Sequence, residues 1–143
     1  MPEIRPEVDA EAVVVSYLNQ DADFLELAGG PKASTELPRN WTPDDGDPVR
    51  LRVTRVGGTG DGLHLDRARI QIDGFADGSD EASALVRLAL ARLLVISTSG
   101  YRHPGAVVTG SRRDLALTRR DDESTKLESY YAAVILFVHP SAV

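Results

Sequence analysis

Asp66-Arg-Ala-Arg-Ile-Gln-Ile-Asp-Gly74 carries the clearest structural pattern in the chain. Ala68, Ile70 and Ile72 alternate with Arg67, Arg69, Gln71 and Asp73. Successive side chains of a strand point to opposite sides, so a period of two with one polar face marks a half-buried strand. Val49 to Val56 repeats the pattern, with Val49, Leu51 and Val53 against Arg50, Arg52 and Thr54. Between the two runs, Gly57-Gly58-Thr59-Gly60-Asp61-Gly62 reads as a flexible hairpin connection. A phosphate-binding loop needs a helix N-terminus after its glycines, and here a strand follows.

Working outward, Ser129 to Val138 is the strongest β signal in the chain. Tyr130, Ala132, Val134, Leu136 and Val138 lie on one side, and Tyr131, Ala133, Ile135 and Phe137 on the other. Both sides are apolar, which predicts a central strand covered on both faces. A helix capped by Ser79 or Asp80 is expected to run to about Ile96. Its segment Ala82 to Ile96 is apolar nearly all round, interrupted by Ser83, Arg87 and Arg92.

Upstream, Pro2 and Pro6 keep residues 1–8 as a tail. Asp9 is a good N-cap for a helix from Ala10 to Asn19, with Val14, Tyr17 and Leu18 at helical spacing. Asp21 to Leu27 adds a helical turn, ended by Gly29-Gly30-Pro31. Lys32 to Leu37, Ala106 to Thr109 and Leu115 to Thr118 read as short strands. Pro38 to Pro48 is a loop holding the single Trp41, and Arg119 to Glu128 is a charged tip. The order predicts an α+β domain: a mainly antiparallel mixed sheet with two helices packed on it. At 143 residues the chain is expected to be one domain, 1–143, with a charged hairpin or loop over 111–128.

Composition narrows the chemistry. Hydrophobic residues at 42% and charged residues at 27% are ordinary for a globular domain and argue against wholesale disorder. With no cysteine, a thiol nucleophile, a disulfide scaffold and a cysteine zinc site are excluded. No apolar run is long enough to span a bilayer, and the acidic, proline-containing start does not read as a signal peptide. The net charge of −6 argues against global attraction to nucleic acid. The histidines His64, His103 and His139 lack metal-ligand spacing, so no metal or cofactor is expected. No serine sits in a strand-to-helix elbow, and the paired acids Asp44-Asp45 and Asp121-Asp122 fall in polar loops. Nothing here argues for an enzyme.

Two features stand out. If the alternating strands pair, Arg50, Arg52, Arg67 and Arg69 share a surface with Gln71 and Asp73. Arginines directly opposite one another repel, so such a face wants anionic partners, either local or on a neighbouring subunit. Arg112-Arg113 and Arg119-Arg120 alternate with acids such as Asp121 and Asp122 and read as rim ion pairs. Trp41 either folds back on the core or anchors a partner. The second feature is surplus apolar surface, which suggests an oligomer.

The chain resembles the tail terminator proteins of long, non-contractile-tailed (siphovirus-type) bacteriophages. The resemblance rests on the helix Asp9-Ala-Glu-Ala-Val-Val-Val-Ser-Tyr-Leu18, the strand Val49-Arg-Leu-Arg-Val-Thr-Arg-Val-Gly-Gly58, and Asp66 to Ala76 running into Glu81-Ala-Ser-Ala-Leu-Val-Arg-Leu-Ala89. The closing Phe137-Val-His-Pro140 completes it, and the likeness runs from about residue 8 to 140. The 111–128 segment matches no family motif. The resemblance implies a small α/β sandwich assembled into a homohexameric ring. Such a ring caps the head-proximal end of the tail tube, ends its polymerisation and meets the head-completion proteins. Genome DNA passes through the lumen without specific binding. The resemblance implies no enzyme activity, cofactor or metal, and a location in the virion at the head-tail junction. The rival expectations are another head-tail neck protein, often twelvefold, and a small α+β ligand-binding domain.

Overall fold

The computed structural model describes residues 8–38, 49–60, 65–120 and 128–141. Two helices open it, α1 (Ala10–Leu18) and α2 (Ala22–Ala28). Asp9 caps α1 by accepting the Ala12 N–H at 3.0 Å, as its sequence position predicts. Asp21 caps α2 in the same way through the Phe24 N–H at 2.9 Å. Gly29 ends α2 in the left-handed region, φ 78°, and both Gly29 and Gly30 donate back to the Leu25 carbonyl.

The strands follow as β1 (Ala33–Ser34), β2 (Val49–Gly60) and β3 (Asp66–Ala76), then α3 (Ser79–Leu93) and a 3₁₀ turn at Ile96–Thr98. Two long strands, β4 (Ala106–Arg120) and β5 (Glu128–Pro140), close the chain. They form one five-stranded sheet in the order β1-β2-β3-β5-β4. Only the β1–β2 pair is parallel; the other neighbours are antiparallel. The mainly antiparallel α+β expectation therefore stands, with three α-helices among the described residues instead of two.

One face of the sheet carries the core. Leu51, Val53, Ala68, Ile70, Ile72, Ala132, Val134, Leu136 and Val138 bury against Val13, Val14, Leu18, Phe24, Leu85, Val86, Ala89 and Leu93 from the helices. The helix α3 lies unusually close to β3. A Cβ added at Gly74 would come within 2.5 Å of Val86 Cγ2, so glycine is what permits the approach. At the sheet edge, Asn19 clasps β1 with two hydrogen bonds to the Ala33 backbone, at 2.9 and 3.1 Å. A side-chain amide thus completes pairing that so short a strand lacks. Burial raises the pKa of Tyr17, whose hydroxyl donates to the Arg92 carbonyl at 2.9 Å.

Four details correct the sequence expectations. Gly78, not Ser79 or Asp80, occupies the α3 N-cap without a side-chain bond, and Ser79 Oγ sits 3.1 Å from the Tyr130 hydroxyl. That helix also stops at Leu93, short of Ile96. The glycine run belongs partly to the ladder: β2 continues through Gly57 and Gly58, both with positive φ, around a bulge at Val56. The two expected short strands near 106–118 are one strand, β4, whose three register shifts absorb the polar residues between them. No described helix is long and apolar enough to cross a membrane.

Candidate assembly interface

The opposite face of the sheet has no described helix upon it. Strand parity and register place Arg50, Arg52 and Thr54 of β2 there, beside Arg67, Arg69, Gln71, Asp73 and Phe75 of β3. Tyr131, Ala133, Ile135 and Phe137 of β5 follow, then Arg112, Leu115, Thr118 and Arg120 of β4. Tyr131, Ile135 and Phe137 are half-buried. The expectation that β5 is covered on both faces is thus corrected among the described residues. Its position between β3 and β4 is central, but its second face stays partly open.

The register also corrects how the arginines meet. Arg52 stands opposite Asp73, Arg50 opposite Phe75, and Gly57 opposite Arg69. The two arginine pairs therefore occupy different ends of the face and avoid head-on repulsion. At one end, Asp73 is the organising group. Only 1% of it is exposed. It accepts from Arg120 Nη2 at 2.6 Å and from Gln71 Nε2 at 3.2 Å, and Arg52 Nη2 lies 3.7 Å away. Arg52 stacks over Phe75 at 5.4 Å and Arg120 over Tyr131 at 5.1 Å. A buried carboxylate is tolerable here because cations and an amide surround it and the aromatic faces steady those cations.

At the other end, Arg69 reaches across β5 to Asp114, Nε to Oδ2 at 2.5 Å. Arg67 and Arg112, both exposed, form no ion pair with a described residue. This end is cationic and flanks Ile135 and Phe137. Gly110 sits directly across from Phe137.

The sequence-predicted residues thus divide. Arg50, Arg52, Arg67, Arg69, Asp73 and Arg120 share the face. Arg119 does not: it falls on the helix side and pairs with Glu128 at the rim, 3.0 Å. Arg120 is no rim residue, since it binds buried Asp73. Trp41, Asp121 and Asp122 lie outside the described residues. Sequence reasoning missed Asp114 and read Arg112 as a rim ion-pair residue, because the bulges of β4 decide which way both point. The apolar alternation of β5 did signal Tyr131, Ile135 and Phe137.

The helical side has the opposite character. A groove of about 510 Å³ between α2 and α3 is lined by Asp23, Glu26, Leu27 and Leu88. Glu81 lies on the same stripe of α3 as Leu88, seven residues away. A second crevice, about 550 Å³, holds Tyr17, Gln20, Asp21, Arg92, Ser99 and Tyr101. Arg92 there is already paired with Asp21 and Asp23. His103 has its Nδ1 bonded with the Tyr101 hydroxyl at 2.9 Å. Among the described residues, no group of three His, Asp or Glu side chains could hold a metal ion.

No protein-family model and no curated protein matches the sequence. Solved structures do match. A chain of the structure described as the virion of a native gene transfer agent particle aligns with a TM-score of 0.66 at 15% identity. The alignment covers 91% of this chain and 94% of that one. At that identity the likeness is one of fold, carried over nearly the full length of both chains.

Proposed function

We propose that this chain is a structural subunit of a phage-type virion, and that it forms the ring closing the head-proximal end of a tail tube. The observation that carries the first part is the fold shared end to end with a chain of a gene transfer agent virion. The half-buried arginine and aromatic face supports a self-assembling subunit, since monomers seldom leave such a patch open. The placement at the tube end rests on the sequence resemblance described above. In this reading the ring is sixfold, its partners are the tail-tube protein and a head-completion protein, and it is not an enzyme. Six copies of a chain at −6 make an acidic ring, which would repel passing DNA instead of binding it. The arginine face is the proposed subunit contact.

Native mass spectrometry at several concentrations, with and without the tail-tube protein, tests the reading. The expected result is a sixfold ring, alone or on the tube. A twelvefold ring points to a portal-side neck protein. A strict monomer that ignores the tube overturns the proposal.

A further inference from the structure

The cationic end of the open sheet face and the acidic α2–α3 groove are chemical complements carried by a single chain. The sheet side offers Arg67 and Arg112, which have no carboxylate partner among the described residues, flanking the half-buried Ile135 and Phe137. The helical side offers exposed Glu26 in the groove, beside the 45%-exposed Leu27 and half-buried Leu88, and exposed Glu81 at the start of α3, seven residues before Leu88; neither carboxylate has a described ion partner. The unpaired charges of the two surfaces have opposite signs, and the Arg69–Asp114 pair that crosses β5 on the sheet side is neutral as a unit. Arg87 is an exposed cation on the neighbouring stripe of α3, but the exposed Glu26, Asp80 and Glu81 leave that side acidic.

Like-charged faces disfavour a symmetric pairing of sheet on sheet or groove on groove. We infer that the occupant of the sheet face is a second copy of this chain, seated through its α2–α3 groove. The contact is heterologous: Arg67 and Arg112 of one subunit face Glu26 and Glu81 of the next, and Ile135 and Phe137 meet Leu27 and Leu88. Repeated contacts of this type close into a ring when the rotation allows and run on as a filament when it does not. The inference deepens the ring reading by naming which two surfaces form the joint, and it does not depend on what the ring caps.

The test is a charge swap read by sedimentation velocity, with circular dichroism to show that each chain is folded. The sheet variant carries Arg67→Glu and Arg112→Glu, and the groove variant carries Glu26→Lys and Glu81→Lys. Each variant alone should assemble at least tenfold more weakly than the wild type. Mixing the two, or placing all four changes in one chain, should restore assembly, because every joint again brings opposite charges together. Folded variants that assemble as well as the wild type overturn the inference, as does a swap that restores nothing. Pairing of the sheet variant with wild type as a closed dimer would show sheet-on-sheet contact and also overturn it. Assembly of the wild type into twelvefold rings or filaments, with the swap still working, would refute the sixfold ring and leave the joint standing. A wild type that stays monomeric with and without the tube protein overturns both.

Discussion

Asp73 is the residue on which one end of the sheet face depends. It is buried, while Arg120 and Arg52 are still 30% and 35% exposed at the side chain. Removing an arginine strands a carboxylate that water cannot reach; removing the carboxylate leaves arginines that water can partly rehydrate. The two arginines are not equal. Arg120 makes the 2.6 Å contact, and Arg52 stands at 3.7 Å. We expect Arg120→Ala to lower stability by about 1–3 kcal/mol and Arg52→Ala by less than about 1 kcal/mol, allowing for solvent screening of both partners. Urea unfolding of the two variants side by side would check the order, and equal losses would contradict it. In the sequence, Asp73 is visible as one polar position in an alternating strand. Its partner Arg120 is not, since their meeting depends on register across an intervening strand.

Among the elements, α3 and β3 make the tightest fit. Gly74 faces Val86 and the Ala82 carbonyl, at 2.5 and 3.2 Å from where a Cβ would stand. Gly74→Ala should therefore cost about 1–3 kcal/mol by overpacking. Pairing it with Val86→Ala should recover part of the loss, which thermal unfolding of the double variant would show. Non-additivity is expected because the two atoms are in contact. The elements themselves were mostly legible in the chain. Period-two alternation gave β2, β3 and β5, and Asp9 announced α1. What escaped was the continuity of β4, which reads in the chain as two short strands. Residues Arg112, Arg113 and Asp114 interrupt its apolar pattern, and a bulged strand loses the strict alternation that reveals an unbulged one. The helix α2 was legible as a single turn, because seven residues hold few apolar positions to count.

For the whole molecule, the division of charge between layers matters more than the net −6. A sheet face rich in arginine and a helical side rich in carboxylates predict assembly that weakens as salt rises. Exposed charges are screened within about 10 Å at 0.1 M ionic strength and about 3 Å at 1 M. Association constants should fall by an order of magnitude or more between 50 mM and 500 mM sodium chloride, measured by sedimentation. A salt-independent constant would mean that the apolar strip alone holds the copies together. The site as a surface was only half readable from the chain. The arginines of β2 and β3 stood out, but their separation into two ends of the sheet is set by the antiparallel offset and the bulge at Val56.

The three register shifts of β4 have one more consequence, which concerns growth. Its far edge has no described strand beside it. A straight edge of fifteen residues would present an unbroken row of amide and carbonyl groups, the template on which foreign strands accrete. Each extra residue throws that row out of step and increases the local twist. An incoming strand would find only short matching stretches before the spacing fails. Edge-to-edge growth into fibrous β-aggregates is thereby disfavoured, and copies are left to meet through their broad faces.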